Sequence, residues 1–448
     1  MTRKLLAAGA VFLLLVAGAG AYMVLDKEDP PQKRGSTTVE FNPTETAKQP
    51  KVPKKKMIAV AWPTFGYDIQ RTKESPYDHG PPFKRTWRVD AKDTLEFPAS
   101  AAYGNIYVAQ QKGLFIAMRG ETGKRVFKTK DFKRCAASSP TIAKGVIYQS
   151  YMDFVECGQN DPNPTGFVIA MDAKTGKQKW RYKGMPFESS PLLHDGILYV
   201  GGWDGKVHAI RAKTGRRIWT HDTGARVNTS AAYSKGRIFV GNQSGSVYAL
   251  NAKTGKRAWS ASQATEFFYA TPAVSYGRVF IGSSDGTMYA YGQKSGRLLW
   301  AKPLGSYIYA SAALYDGKVY TGTYDGKFFA LDAGTGDVRW QRSMPSAVHA
   351  APVVMNGLVY AATCATCGSA AARSVKTGVD STTAFNAFTG KKVWFTRAGK
   401  YASPIVADQD RTYLIGRAHI YAMENSGSRT RAARKERRRA RAAARRAR

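Results

Sequence analysis

Apolar and polar residues alternate in short runs along most of this chain, and the runs recur in sets of four. From Ser190 the pattern reads Ser190-Pro191-Leu192-Leu193, then a His194-Asp195-Gly196 turn, then Ile197-Leu198-Tyr199-Val200-Gly201. An Asp204-Gly205 turn leads to Val207-His208-Ala209-Ile210. Thr214-Gly215 then opens a last run, Arg216 to Thr220, that carries Trp219. A two-residue period in β-branched and aromatic residues is the signature of strand rather than helix. Asp-Gly between two such runs favours a tight hairpin, because glycine tolerates positive φ. The unit is therefore four short antiparallel strands.

The same grammar recurs down the chain. A Thr-Gly or Ser-Gly turn is followed four residues later by an aromatic residue at Phe127, Trp180, Trp219, Trp259, Trp300, Trp340 and Trp394. Starting from Trp87, the steps between aromatic positions are 40, 53, 39, 40, 41, 40 and 54 residues. A period near 40 with four strands per unit predicts a β-propeller. Two units are incomplete in opposite ways. Trp87 lies on a strand-like run, Phe83 to Val89, with no Thr-Gly before it, whereas Ser426-Gly427 has Arg431 where the aromatic residue should follow. The expected fold is all-β: an eight-bladed β-propeller of four-stranded antiparallel blades, closed by an N-terminal strand that completes the last blade (Tyr401 to Gly427). Closure leaves no open sheet edge at the join. The recurring aromatic residues are expected to wedge between sheets, burying roughly 150–250 Å² each. Gly201, Gly241, Gly282 and Gly322 are expected where neighbouring blades approach closely.

The ends of the chain differ from the ring. Arg3 and Lys4 precede an apolar run from Leu5 to Leu25, long enough to span a bilayer. Positive charge ahead of that run favours a cytoplasmic N-terminus and an extracytoplasmic remainder. Ala17-Gly18-Ala19 and Ala19-Gly20-Ala21 keep a cleaved signal peptide open. The domain reading is a membrane anchor or signal segment at 1–25, a linker at 26–57, a propeller at 58–427 and an Arg-rich tail at 428–448. The linker is rich in Pro, Lys, Thr and Gln without an apolar period. The expected location is the cell membrane, with a single pass and the propeller outside.

Charge and cysteine narrow the partners. The net charge is +36, and the tail from Arg429 holds eleven Arg or Lys and one Glu. Such a chain is drawn to anionic surfaces. An exported domain makes nucleic acid a poor partner, so an envelope protein or an anionic envelope polymer is expected, with the protein a monomer. The two long steps mark insertions at Tyr151 to Gly166 and Cys364 to Asp380, beside which all four cysteines fall. Disulfides Cys135–Cys157 and Cys364–Cys367 are expected in an oxidising compartment, with free thiols or metal chemistry as the alternatives. Gly368 excludes a Cys-x-x-Cys-His haem attachment.

The unit [Ser/Ala]-[Ser/Thr]-Pro…Gly-x-[Ile/Val]-[Tyr/Phe]-[Val/Ile]-Gly…Asp-Gly…Thr-Gly-x-x-x-Trp resembles the pyrroloquinoline-quinone-type (PQQ-like) propeller repeat. The lead-in from Trp62 to Thr72 is similar to the segment that precedes the ring in that superfamily. The resemblance implies either a quinoprotein dehydrogenase or a non-catalytic propeller like the outer-membrane assembly lipoprotein. In the dehydrogenases successive blades supply a Glu and an Asn that hold Ca²⁺ against the quinone, then a catalytic Asp, then a basic residue. Aligned on Ser-Ser-Pro, the funnel positions here are Pro98, Ala137, Glu188, Asn228, Tyr269, Tyr309, His349 and Tyr401. Glu188 and Asn228 match, but Tyr269 and Tyr309 stand where Asp and a base are required. Without that acid an alcohol proton has no acceptor, and one carboxylate is few for Ca²⁺. The expectation is thus no catalytic residue, no metal and no cofactor, with Glu188, Asn228, Tyr269, Tyr309, His349 and Tyr401 as a rim that binds a partner or ligand. A PQQ- and Ca²⁺-dependent alcohol dehydrogenase is the first alternative, and a sensor for a small sugar-like or aromatic ligand the second.

Overall fold

The computed structural model describes residues 32–45, 60–152, 157, 163–267, 269–365, 378–398 and 405–425. Successive hairpins build eight sheets, with strands in chain order from the axis outward. Blades one to seven span 100–131, 141–184, 192–222, 232–261, 273–303, 313–343 and 353–396. Blade eight takes its three inner strands from 406–425 and its outer strand from Phe83–Asp90, which pairs antiparallel with His419–Asn425. The ring closes as the two incomplete units required.

The recurring residues have defined partners. Trp87, Trp180, Trp219, Trp259, Trp300 and Trp340 each donate the indole N–H to a backbone carbonyl of the next blade, at 2.9–3.1 Å. Each ring also lies under the glycine of the next Thr-Gly or Ser-Gly turn; a Cβ on Gly215 would sit 2.7 Å from Trp180. Phe127 packs under Gly176 in the same way but has no N–H to give. The Trp residues are therefore clasps between blades. Gly201 and Gly322 meet Val227 and Val348 of the following blade, where a Cβ would come within 2.4 and 2.3 Å. Near the axis, the backbone N–H groups of Ser139, Ser190, Ser230 and Thr271 donate to the hydroxyls of Ser190, Ser230, Thr271 and Ser311 in turn. The hydroxyl residue before each inner strand thus links one blade to the next.

The lead-in segment plugs the ring. Val60–Trp62 pairs antiparallel with blade one, and Glu74–Ser75 runs parallel to the inner strand of blade seven. Between them, the carbonyls of Pro63, Ile69, Gln70, Thr72 and Lys73 accept N–H groups from Ile142, Tyr233, Val274, Leu314 and Val354. Arg71 is fully buried and donates to Ala231 O and Thr64 Oγ1; Lys73 donates to Arg71 O and Ala312 O. Burial lowers Arg71 to about 9 and Lys73 to about 7. Residues 32–45, part of the stretch read as linker, lie extended against blades five and six.

Cys135 and Cys157 are joined, stapling the insertion of blade two. Cys364 is also disulfide-bonded. Its expected partner Cys367 lies outside the described residues, as do the apolar run at 5–25 and the basic tail.

Candidate functional site

The inner strand of each blade begins at the mouth of the central funnel. There the hairpin register corrects one assignment. Ala102 pairs with Asn105 as His194 pairs with Ile197, so Glu96, not Pro98, occupies in blade one the position that Glu188 holds in blade three. Blade one lacks Ser-Ser-Pro, so motif alignment slipped; counting back from the Gly104 turn would have found Glu96. A second layer stands fifteen residues further on, in the turn after the second strand. Gln111 Nε2 donates to Glu96 Oε2 at 2.9 Å, and Trp203 Nε1 donates to Glu188 Oε2 at 2.9 Å. Tyr324 holds the equivalent place in blade six, edge-on to Tyr309 with centroids 4.7 Å apart.

Glu188 is buried, and its second oxygen accepts the Tyr269 hydroxyl at 2.7 Å. Burial raises the Glu188 carboxyl above its ordinary range, opposed by these two hydrogen bonds and by Arg226. The Arg226 guanidinium lies 4.4 Å from the centroid of the Trp203 ring. Burial, with Glu188 nearby, lifts Glu96 to about 7. The Tyr269 phenol is driven far up by burial and by both carboxylates. His349 Nδ1 is hydrogen-bonded to the Tyr324 hydroxyl, and burial pulls the imidazole down to about 4, so it is neutral at physiological pH. Tyr307 and Tyr309 stack at 6.0 Å, with Tyr269 6.3 Å from Tyr309.

The structure therefore brings Glu188, Tyr269, Tyr309 and His349 together and adds Glu96, Trp203 and Tyr324. Asn228 sits in the same ring, buried, with Oδ1 lacking a hydrogen-bond partner. Ala137 packs with Cys135 and Met152 and brings no polar group. Tyr401 lies outside the described residues. Phe65 of the plug and Phe97 close the funnel between Glu96, Tyr269, Tyr309 and His349, leaving a cavity of about 30 Å³.

These residues do not fit a quinone with Ca²⁺. Between Phe65, Phe97, Tyr269 and His349 the described residues leave room for a water or two, whereas small-molecule pockets run to roughly 300–1,000 Å³. Both oxygens of Glu188 are engaged, and among the described residues no three His, Cys, Asp or Glu converge on a metal-sized site. Among the described residues, the Asn228 oxygen without a hydrogen-bond partner is a feature that suits a cation.

The fold defines the class: a PQQ-type propeller. The profile of the family described as outer membrane protein assembly factor BamB matches residues 84–231 and 203–431, and the chain belongs to that family. Curated relatives include a quinohemoprotein alcohol dehydrogenase of Comamonas testosteroni, 34% identical over 176 residues, 38% of this chain and 25% of that protein. A 1-butanol dehydrogenase (cytochrome c) of Thauera butanivorans is 31% identical over 102 residues, 20% of this chain and 13% of that protein. The chain thus spans a quarter or less of these relatives' length. Among solved structures, BamB from Moraxella catarrhalis superposes with a TM-score of 0.60 at 14% identity, covering 77% of this chain and 98% of that one. The Comamonas testosteroni dehydrogenase gives 0.65 at 15% identity, covering 81% and 80%. At such identities the structural likeness establishes the fold alone.

Proposed function

We propose that this protein is a non-catalytic propeller scaffold of the cell envelope, held at the membrane by its N-terminal segment, with the ring on the extracytoplasmic side. It works as a monomer that binds an envelope protein, with anionic envelope polymer as a further partner of its basic surface. The funnel carries the reading: Phe65 and Phe97 narrow it, and Glu188 is hydrogen-bonded to Tyr269 and Trp203, an arrangement that supports a role other than cofactor binding. Membership of the BamB-described family and the net charge of +36 support it. Binding then falls to the mouth, where Tyr307 and Tyr309 are half-buried, and to the outside of the ring.

The competing reading, a quinoprotein dehydrogenase, is favoured by the free Asn228 oxygen beside Glu188. Purified protein mixed with PQQ and Ca²⁺ distinguishes the two. The scaffold reading expects no bound-quinone absorbance and no dye-linked alcohol oxidation, together with a discrete crosslinked partner in intact envelopes. Saturable quinone binding with alcohol turnover that vanishes in Glu188→Gln would overturn it.

A further inference from the structure

Outer strands are where a propeller exposes unpaired backbone, and this chain treats them unequally. The residues on either side of the recurring Trp are Lys179 and Arg181, Ile218 and Thr220, Ala258 and Ser260, or Arg339 and Gln341 in four blades. In three of these blades the flanking side chains are charged, polar or small, which blunts a sheet edge, and Ile218 of blade three is half-buried against the core. Blade five has Leu299 and Ala301 instead, only 7% and 3% exposed, and Ala301 packs into the core shared with blade four. Lys33 forms a single antiparallel bridge to Ala301 on the outer edge of this blade, with N···O distances of 3.0 and 3.1 Å. Gly35 then passes so close to Trp300 that a Cβ would lie 2.5 Å from the ring.

Blade seven carries apolar residues at the same positions, and among the described residues they are exposed. Val393 and Phe395 flank Trp394 and are 50% and 44% exposed, with Phe388 of the same hairpin at 49%. Lys392–Thr396 pairs inward with Ser381–Asn386, and no described residue pairs with its outer edge. The surroundings are basic: residues 381–407 hold four Lys or Arg and no Asp or Glu. Lys392 and Lys318 lie over the Phe395 and Phe388 rings, at 6.0 and 5.0 Å.

We propose that the outer edge of blade seven is a strand-addition interface for an extended segment of a partner protein, apolar at alternate positions and flanked by acidic residues. The inference rests on the scaffold reading for its setting and on blade five for its geometry. Main-chain pairing supplies the affinity in this mode, and alternate side chains supply the specificity. Apolar residues of the guest would cover Val393 and Phe395, and its acids would meet Lys391, Lys392 and Arg397. Two copies of this edge would set those bases against one another, so a second copy is not the guest.

The test uses the full chain and a fluorescein-labelled peptide in which valines alternate with threonines between paired aspartates. The expected result is a saturable rise in anisotropy and slowed amide exchange confined to 392–396. Binding should weaken roughly tenfold or more in Val393→Lys/Phe395→Lys, since two apolar contacts are lost. It should weaken likewise for a peptide with a central proline, which cannot donate to the ladder. Phe395→Thr, a milder change, should give an intermediate loss at an unchanged unfolding midpoint. Equal binding by the double variant, protection mapping to the funnel, or self-association that the variant abolishes would each overturn the proposal. An envelope partner still crosslinked by the double variant would remove this edge and leave the scaffold reading standing; quinone turnover would remove that reading instead.

Discussion

Glu96→Gln tests whether the closed funnel has the electrostatics described. Glu96 stands at about 7 against an ordinary 4.5, because burial disfavours its charge and Glu188 lies near. The folded state therefore holds this proton more tightly than the unfolded chain. The stabilisation is complete below about pH 4.5 and is lost as pH rises through about 7. A gap of about 2.5 pH units is worth at most roughly 3 kcal/mol at 1.36 kcal/mol per unit. Because the side chain is partly open to solvent, we expect about 1–3 kcal/mol.

Glutamine keeps a carbonyl oxygen for Gln111 Nε2 and cannot ionise. Urea unfolding at pH 5 and pH 8 should thus show wild type and variant close together at the lower pH, with the variant more stable at the higher one. The urea dependence should be unchanged, since the surface exposed on unfolding is the same. Glu188, raised in the same direction, should leave the variant a smaller residual fall. Parallel pH profiles for the two proteins would refute the assignment of a perturbed carboxyl at this position.

Three further outcomes follow from the ring. Deleting residues 83–90 removes the outer strand of blade eight and bares His419–Asn425, so the product should aggregate on light scattering; a wild-type unfolding midpoint would contradict closure. Trp219→Phe forfeits the bond to Ala252 O and should cost about 0.5–1.5 kcal/mol, while Phe127→Trp, which adds a donor where blade one has none, should gain a similar amount in urea midpoints. Cys135→Ala/Cys157→Ala opens a closure between residues 22 apart and should cost about 3 kcal/mol, read as a drop in the thermal midpoint under non-reducing conditions.

The ring was legible in the sequence because strand period, hairpin glycines and the Thr-Gly…Trp spacing are all local signals. Closure was legible because Trp87 and Ser426-Gly427 lacked complementary halves. Glu96 was not, since its blade has no Ser-Ser-Pro to anchor an alignment. Glu188 and Tyr269 were placed at the funnel, yet nothing local tells that the phenol turns inward to the carboxylate across two blades. The docking of residues 32–45 was also hidden. It depends on backbone bonds and on Arg278, which occupies an ordinary strand position, as Arg237 does, but donates to the carbonyls of Ser36, Val39 and Glu40.

Residues 60–79 bond to strands all round the ring, and their buried Arg71 and Lys73 are satisfied by carbonyls of the plug and of blades four and six. Lifting the segment out to admit a cofactor would break those bonds together and leave carbonyls unpaired, at about 1–3 kcal/mol for each one left buried. The same bonds hold the inner strands to a common centre, which suits a rigid platform better than a pocket that must open and close. On the scaffold reading proposed above, recognition would fall to surfaces that the fold leaves unfinished. Blade five finishes its apolar outer strand with Lys33, and blade seven has nothing described to do so. On the strand-addition proposal, that asymmetry, rather than the funnel, is where a partner would gain most by binding.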